Sequence, residues 1–199
     1  HDLAPFIVTL GVQTIARGLT YIYSDGMPVS QFDQKFMEIG KGSFLHVPIP
    51  VWILLIVFLL ASFVLYKLKI GRYLFAVGGN ETAATYSGVN VKRVKFFAYI
   101  ASGALSALAA VVLTSRVSAA LPQAGMAYES DAIASVVIGG TSLAGGKGHL
   151  WGTIVGVLII GVISNGLDLL SVSSYTQQVI KGVIIIGAVL LDRVSNRAN

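Results

Sequence analysis

Few residues in this chain stand in a pattern that could do chemistry, and those few do not form a catalytic set. His46 and His149 fall in or beside stretches that read as loops, with no Ser-His pair, metal set or carboxylate dyad inside an apolar run. There is no cysteine, which excludes thiol catalysis, disulfides and thiolate metal sites. The glycine-rich stretch GGTSLAGGKG, residues 139–148, superficially resembles a phosphate-binding loop. Such a loop needs glycine six residues before its lysine and Ser or Thr after it; Thr141 and Gly148 stand there around Lys147, so this is not a nucleotide site. Asn80-Glu81-Thr82 matches a glycosylation sequon, but the orientation derived below places it in the cytosol, and the match is chance.

The polar residues within apolar stretches are Gln13 and Arg17, four apart on one helix face, Asn165 and Asp168 near the end of one run, and Lys181 near the start of another. Arg17 either snorkels to an interface or sits inside a bundle paired with a carboxylate. Asp168 reads as an interfacial, solvated group.

The elements that must position these groups are long and apolar. Of the 199 residues, 55% are hydrophobic and only 12% charged, roughly half the charged fraction of a soluble domain. That balance is expected where hydrocarbon is the lateral solvent. The net charge of +5 does not point to nucleic acid, because the bases cluster at the ends of apolar runs without interleaved aromatics. Runs suited to crossing a membrane extend over residues 3–23, 49–66, 96–115, 150–170 and 177–191. The segment 132–144 is too short for a comfortable independent span, and Gly139-Gly140 would weaken any helix through it. A broken or re-entrant segment is tolerated only where protein or water satisfies its backbone. Gly139, Gly140, Thr141 and Ser142 are therefore candidate residues of a translocation path, with tight helix packing as the alternative. On the first reading Gly140 marks a close backbone approach. Gly148, Gly152 and Gly156, at four-residue spacing, argue for helix packing, as do Gly103, Ser106, Ala107 and Ala110 in the third run. Residues 24–48 read as a polar loop rich in turn formers.

Between the second and third runs lies the polar stretch 67–95, with six basic residues and one acid, Glu81. Its centre, GGNETAATYSG, reads as a short helix with Asn80 as N-cap, Glu81 in the first turn and Gly88 turning the chain away in a left-handed conformation. Counting 132–144 as a crossing gives six crossings. Residues 67–95, Lys147 and the C-terminal Arg193 and Arg197 then share one side, which holds nine of the fourteen Lys and Arg residues. The positive-inside bias makes that side cytoplasmic.

With these pieces placed, GRYLFAVGGNETAATYSGVNVKRVK, DAIASVVIGGTSLAGGKG and YTQQVIKGVIIIGAVLLD, in that order, resemble the membrane permease subunits of bacterial ATP-binding-cassette monosaccharide importers, most closely those for ribose. The resemblance covers essentially the whole chain, which corresponds to the C-terminal two thirds or so of such subunits. It implies an all-α membrane protein, a polytopic helix bundle of the binding-protein-dependent importer type. It also implies a bacterial inner-membrane location, a second permease copy, two cytosolic ATPase subunits that carry the ATP and Mg, and a sugar-binding protein outside. This chain itself would hold no cofactor, metal or catalytic residue. Glu81, Ala83, Ala84 and Gly88 match the family's coupling segment, which enters a groove in the ATPase; Thr82 departs from the Glu-Ala-Ala form of other importer families. On this reading Ala83 and Ala84 form a small face that seats in the groove. Arg17 and Asn165 join the candidate path, where scattered Ser, Thr, Asn and Gln suit sugar hydroxyls. A secondary transporter of small polar solutes is the competing class; it would show more intramembrane acids and bases for ion coupling than Arg17, Asp168 and Lys181. An intramembrane enzyme ranks last.

Overall fold

The computed structural model describes residues 5–198, with side chains over 7–190; Leu3 and the side chains of Arg193 and Arg197 lie outside the described set. Contacts divide the chain into two compact units. One comprises the residues up to Leu55 together with Ala104–Met126; the other comprises Ile56–Gly103 together with the residues from Ala127 onward.

In the first unit, α1 (Pro5–Ser24) leads into α2 (Gln34–Lys41) and a two-stranded hairpin, β1 (Ser43–Phe44) with β2 (Val47–Pro48). Residues 24–48 are thus more structured than their turn-rich composition suggests. The reason is a short helical repeat of apolar positions, Phe36, Ile39 and Gly40, that docks at the end of α6 (Val91–Val117). The fully buried Ser115 hydroxyl donates to the Phe36 carbonyl at 2.6 Å and accepts from the Gly40 N–H at 2.7 Å. A Cβ at Gly40 would lie 2.7 Å from the Arg116 Cα, so only glycine lets the backbones meet there. Paired hydrogen bonds between Val29 and Ala120 tie down the rest of this loop.

α3 (Ile49–Lys67) begins in the first unit and continues into the second, where it breaks at Leu68, which is extended, and the chain restarts as α4 (Lys69–Gly79). α5 (Glu81–Tyr86) follows after the single residue Asn80, and α6 begins at Val91 with Asn90 accepting from the Arg93 N–H. The polar stretch 67–95 is therefore almost wholly helical. Its charges mask a second signal, Ile70, Leu74 and Val77 at helical spacing. α7 (Tyr128–Ile138), α8 (Leu150–Leu169) and α9 (Ser174–Ala198) complete the unit.

Three described helices, α3, α6 and α8, are long and apolar enough to cross a membrane. The shorter apolar helices α7 and α9 accompany them, as expected of a polytopic bundle with one short segment. α1 also has the length to cross, with Gln13, Arg17 and its threonines along an otherwise apolar helix. α7 spans only about 16 Å, and α9 is apolar over Ser174–Leu190. Most large apolar side chains are exposed, and α3 has no buried residue at all. Such an apolar exterior requires hydrocarbon around it. The fold is that of a polytopic all-α membrane protein.

Candidate functional site

The glycine-spaced face of α8 meets α7 backbone to backbone. A Cβ at Gly152 would overlap the Gly139 carbonyl oxygen, and one at Gly156 would overlap the Ser135 carbonyl oxygen. Gly148 faces the Thr141 side chain, whose Cγ2 would lie 2.9 Å from an added Cβ. Ala134, Ser135, Val137, Gly156 and Ile160 are buried in this crossing. The spacing therefore does serve close approach, as expected from the sequence. The stripe on α6 differs: Gly103, Ser106, Ala107 and Ala110 are exposed, and a Cβ on Gly103 would meet nothing within 4 Å.

Gly139 and Gly140 end α7 in different ways. Gly139 makes the close approach to Gly152. Gly140, at φ +83°, lies in open space, so the close approach expected at Gly140 belongs to its neighbour. Gly140 instead forms a Schellman stop: its N–H donates to the Val137 carbonyl and the Thr141 N–H donates to Val136. Ser142 begins a closed turn, its N–H on the Lys147 carbonyl at 3.0 Å and its Oγ accepting from the Ala144 N–H.

α5 is stopped by the same device. Gly88, at φ +80°, donates to Thr85, and Val89 donates to the Ala84 carbonyl. At the other end the Asn80 side chain accepts from the Ala83 N–H at 2.9 Å, the N-cap foreseen in the sequence. Glu81 pairs with Lys95 at 2.6 Å; both side chains are about half exposed, so the pair orients more than it stabilises. Ala84 is buried at 5% exposure, whereas Glu81, Thr82, Ala83, Thr85 and Tyr86 are exposed. Of the two alanines read as one small face, only Ala83 is open to a partner, because adjacent helix positions point about 100° apart.

The structure brings the two expected regions together. The turn carrying Gly145 and Gly146 lies against Gly78 and Gly79 at the end of α4, with a Cβ on Gly78 reaching 3.0 Å from the Gly146 nitrogen. The Tyr66 hydroxyl at the end of α3 accepts from the Leu150 N–H at 3.0 Å, and Phe58 stacks edge-on with Trp151 at 4.7 Å. The glycine-rich connection is therefore on the same side of the protein as residues 67–95, the arrangement the charge count required. The remaining path candidates do not join this cluster. Asn165 is exposed about 22 Å further along α8, and Arg17, half-buried on α1, belongs to the other unit.

Two polar links at the opposite end of α8 and α9 were not anticipated. Lys181 pairs with Asp131 at 2.8 Å, both mostly shielded, joining α9 to α7. One turn earlier on the same face of α9, Gln177 donates to Asp168 at 2.8 Å and to the Val172 carbonyl. The signal was present in Glu129 and Asp131, acids of the kind that open a helix, read from sequence as a loop. Among the described residues, no group of His, Asp and Glu could hold a metal ion.

Residues 2–189 match the family described as the branched-chain amino acid transport system / permease component. The chain is 51% identical to the ribose import permease of Bacillus subtilis over 96% of its own length and 60% of that protein. It is 50% identical to the ribose import permease of Haemophilus influenzae over 94% of this chain and 59% of the relative. It is 45% identical to the D-allose transport system permease of Escherichia coli over 98% of this chain and 60% of the relative. The chain thus spans about 60% of these relatives, matching their C-terminal part. No solved structure matches it.

Proposed function

The chain belongs to the branched-chain amino acid transport system / permease component family, and from that membership we propose that it is the translocating part of a permease for a ribose-like monosaccharide in an ATP-driven importer. The family description names amino acids, whereas the similar relatives named above are permeases for ribose and allose; the sugar reading follows those relatives. The chain performs no catalysis of its own. Two copies form the path in a bacterial inner membrane, two cytosolic ATPase subunits drive it, and a sugar-binding protein delivers the substrate from outside.

The observation that carries this reading is α5. It is a single capped helical turn and a half, stopped at a left-handed glycine, flanked by the ends of apolar helices on the basic side. Its outer face of Glu81, Thr82, Ala83, Thr85 and Tyr86 is exposed. A short helix with both ends fixed transmits force only when a partner grips that face, and the ATPase is the partner proposed. In the full-length protein, Ala83→Arg is expected to abolish co-purification of the ATPase subunit and ribose-dependent ATP hydrolysis in liposomes while thermal melting stays unchanged. Ribose uptake that persists without any ATPase would refute the reading.

A further inference from the structure

We propose that the Gly145-Gly146 turn is a positioning element for α5: it seats the α4–α5 corner against the α7–α8 connection, so that displacement of α5 reaches the start of α8 and is not absorbed within α4. The proposal rests on the reading of α5 as the helix gripped by an ATPase.

The junction is backbone on backbone, two glycines from each side. A Cβ on Gly145 would overlap the Gly78 carbonyl oxygen, and one on Gly146 would lie 2.7 Å from the Gly79 Cα. Gly78 and Gly79 meet Gly146 in return, at 3.0 Å from its nitrogen and 3.6 Å from its Cα. No side chain intervenes that could change rotamer and absorb a shift, so the two segments move together or separate. Both Gly145, at φ +88°, and Gly146, at φ +74°, hold the left-handed conformation that presents bare backbone at the turn.

Each side of the junction is tied short. Toward α5, Asn80 follows Gly79 directly; its N–H closes α4 on the Ala76 carbonyl and its side chain caps α5. No free linker separates junction from helix. Toward α8, the turn is closed by the Ser142 N–H on Lys147 and the Gly145 N–H on Ser142. Gly148 then packs on Thr141, and Leu150 donates to the Tyr66 hydroxyl. From there the crossing of α8 on α7 continues through Gly152 and Gly156. A chain of contacts without slack thus runs from α5 into the α7–α8 pair.

The test compares Gly146→Ala with Gly125→Ala in the full-length permease, assembled in liposomes with its ATPase subunit and sugar-binding protein. The two positions share a left-handed φ, +74° and +75°, but a Cβ on Gly125 meets nothing within 4 Å. Backbone strain is therefore common to both, and loss of the junction is specific to Gly146. Ribose uptake and ATP hydrolysis are measured in the same vesicles, with co-purification of the ATPase and thermal melting alongside. Gly146→Ala is expected to keep its ATPase and its stimulated hydrolysis while sugar moved per ATP falls by about fivefold or more; Gly125→Ala should leave that ratio unchanged. An unchanged ratio in Gly146→Ala overturns the proposal, as does a fall in uptake and hydrolysis in proportion with lowered melting. Gly78→Ala, with its milder 3.0 Å encounter, provides a second variant should Gly146→Ala not fold. A folded Gly78→Ala whose ratio does not fall likewise overturns the proposal. Failure of the underlying reading looks different, since wild-type protein would then take up ribose with no ATPase bound.

Discussion

Gly156→Ala tests how much the α7–α8 crossing contributes to the fold. The added methyl would overlap the Ser135 carbonyl oxygen, stand 2.8 Å from its carbonyl carbon and lie 3.1 Å from the Gly139 nitrogen. Carbon atoms rest at about 3.5–4.0 Å, so the helices must part by about 1 Å at this point, which forfeits about a quarter to a half of each dispersion contact near it. The obstacle on the far side is peptide backbone and cannot swing away. Overpacking of this kind costs about 1–3 kcal/mol, and the better helix propensity of alanine returns at most about 1 kcal/mol. With that return at its full value the net loss is about 0–2 kcal/mol. Against a control that keeps the same propensity gain, the difference is the whole overpacking cost of about 1–3 kcal/mol, a factor of at least about 5 in the folded-to-unfolded ratio. Gly161→Ala is the matched control, since a Cβ there meets nothing within 4 Å and only the propensity gain remains. Reversible unfolding of the purified protein in mixed micelles reads both variants. Should Gly156→Ala unfold at the same denaturant midpoint as Gly161→Ala, the backbone crossing does not stabilise the fold and the reasoning fails.

Ala84→Arg, at a buried position, should lower thermal stability by several degrees through loss of α5 packing, whereas Ala83→Arg should leave melting unchanged and act only on a partner. Single cysteines introduced at 85 and 147 in the full-length protein should label from one side of the membrane and those at 30 and 126 from the other; labelling of 85 and 147 from opposite sides would contradict the contact between their segments. Lys181→Met leaves Asp131 half-buried without its partner and should destabilise the protein by about 1–3 kcal/mol, while Lys181→Met with Asp131→Leu should recover most of that loss in a double-mutant cycle.

Much of the α7–α8 crossing was legible because glycine at every fourth residue has one dominant physical use, to let backbones approach. Asn80 and Gly88 were legible for a similar reason: a cap and a left-handed stop each follow from the chemistry of one residue. What sequence could not supply was phase. Whether Gly139 or Gly140 faces α8, and whether Ala83 or Ala84 turns inward, depends on the rotation of a helix about its axis, which tertiary packing sets. α4 was obscured because its basic residues dominate a segment whose apolar spacing is also helical. The docking of α2 depends on Ser115, seventy-five residues from Gly40, and no local pattern announces so distant a hydrogen bond. Lys181 and Asp131 were each visible, but their pairing across fifty residues was not.

The Schellman stop of α7 bears on how the protein responds to its bilayer. A helix end inside hydrocarbon ordinarily exposes carbonyls that have no water to bond. Here the carbonyls of Ser135, Val136 and Val137, three of the last four, are taken by Gly139, Thr141 and Gly140. α7 can therefore end at whatever depth its packing sets, with one of those four carbonyls left to find a partner, whereas α3, α6 and α8, long and apolar enough to cross, must match the hydrocarbon thickness or tilt. In a thicker or thinner membrane those three helices would adjust around a short partner that carries its own chemical terminus. Mismatch would then be felt first at the α7–α8 crossing, where one member is bound to the lipid dimensions and the other is not.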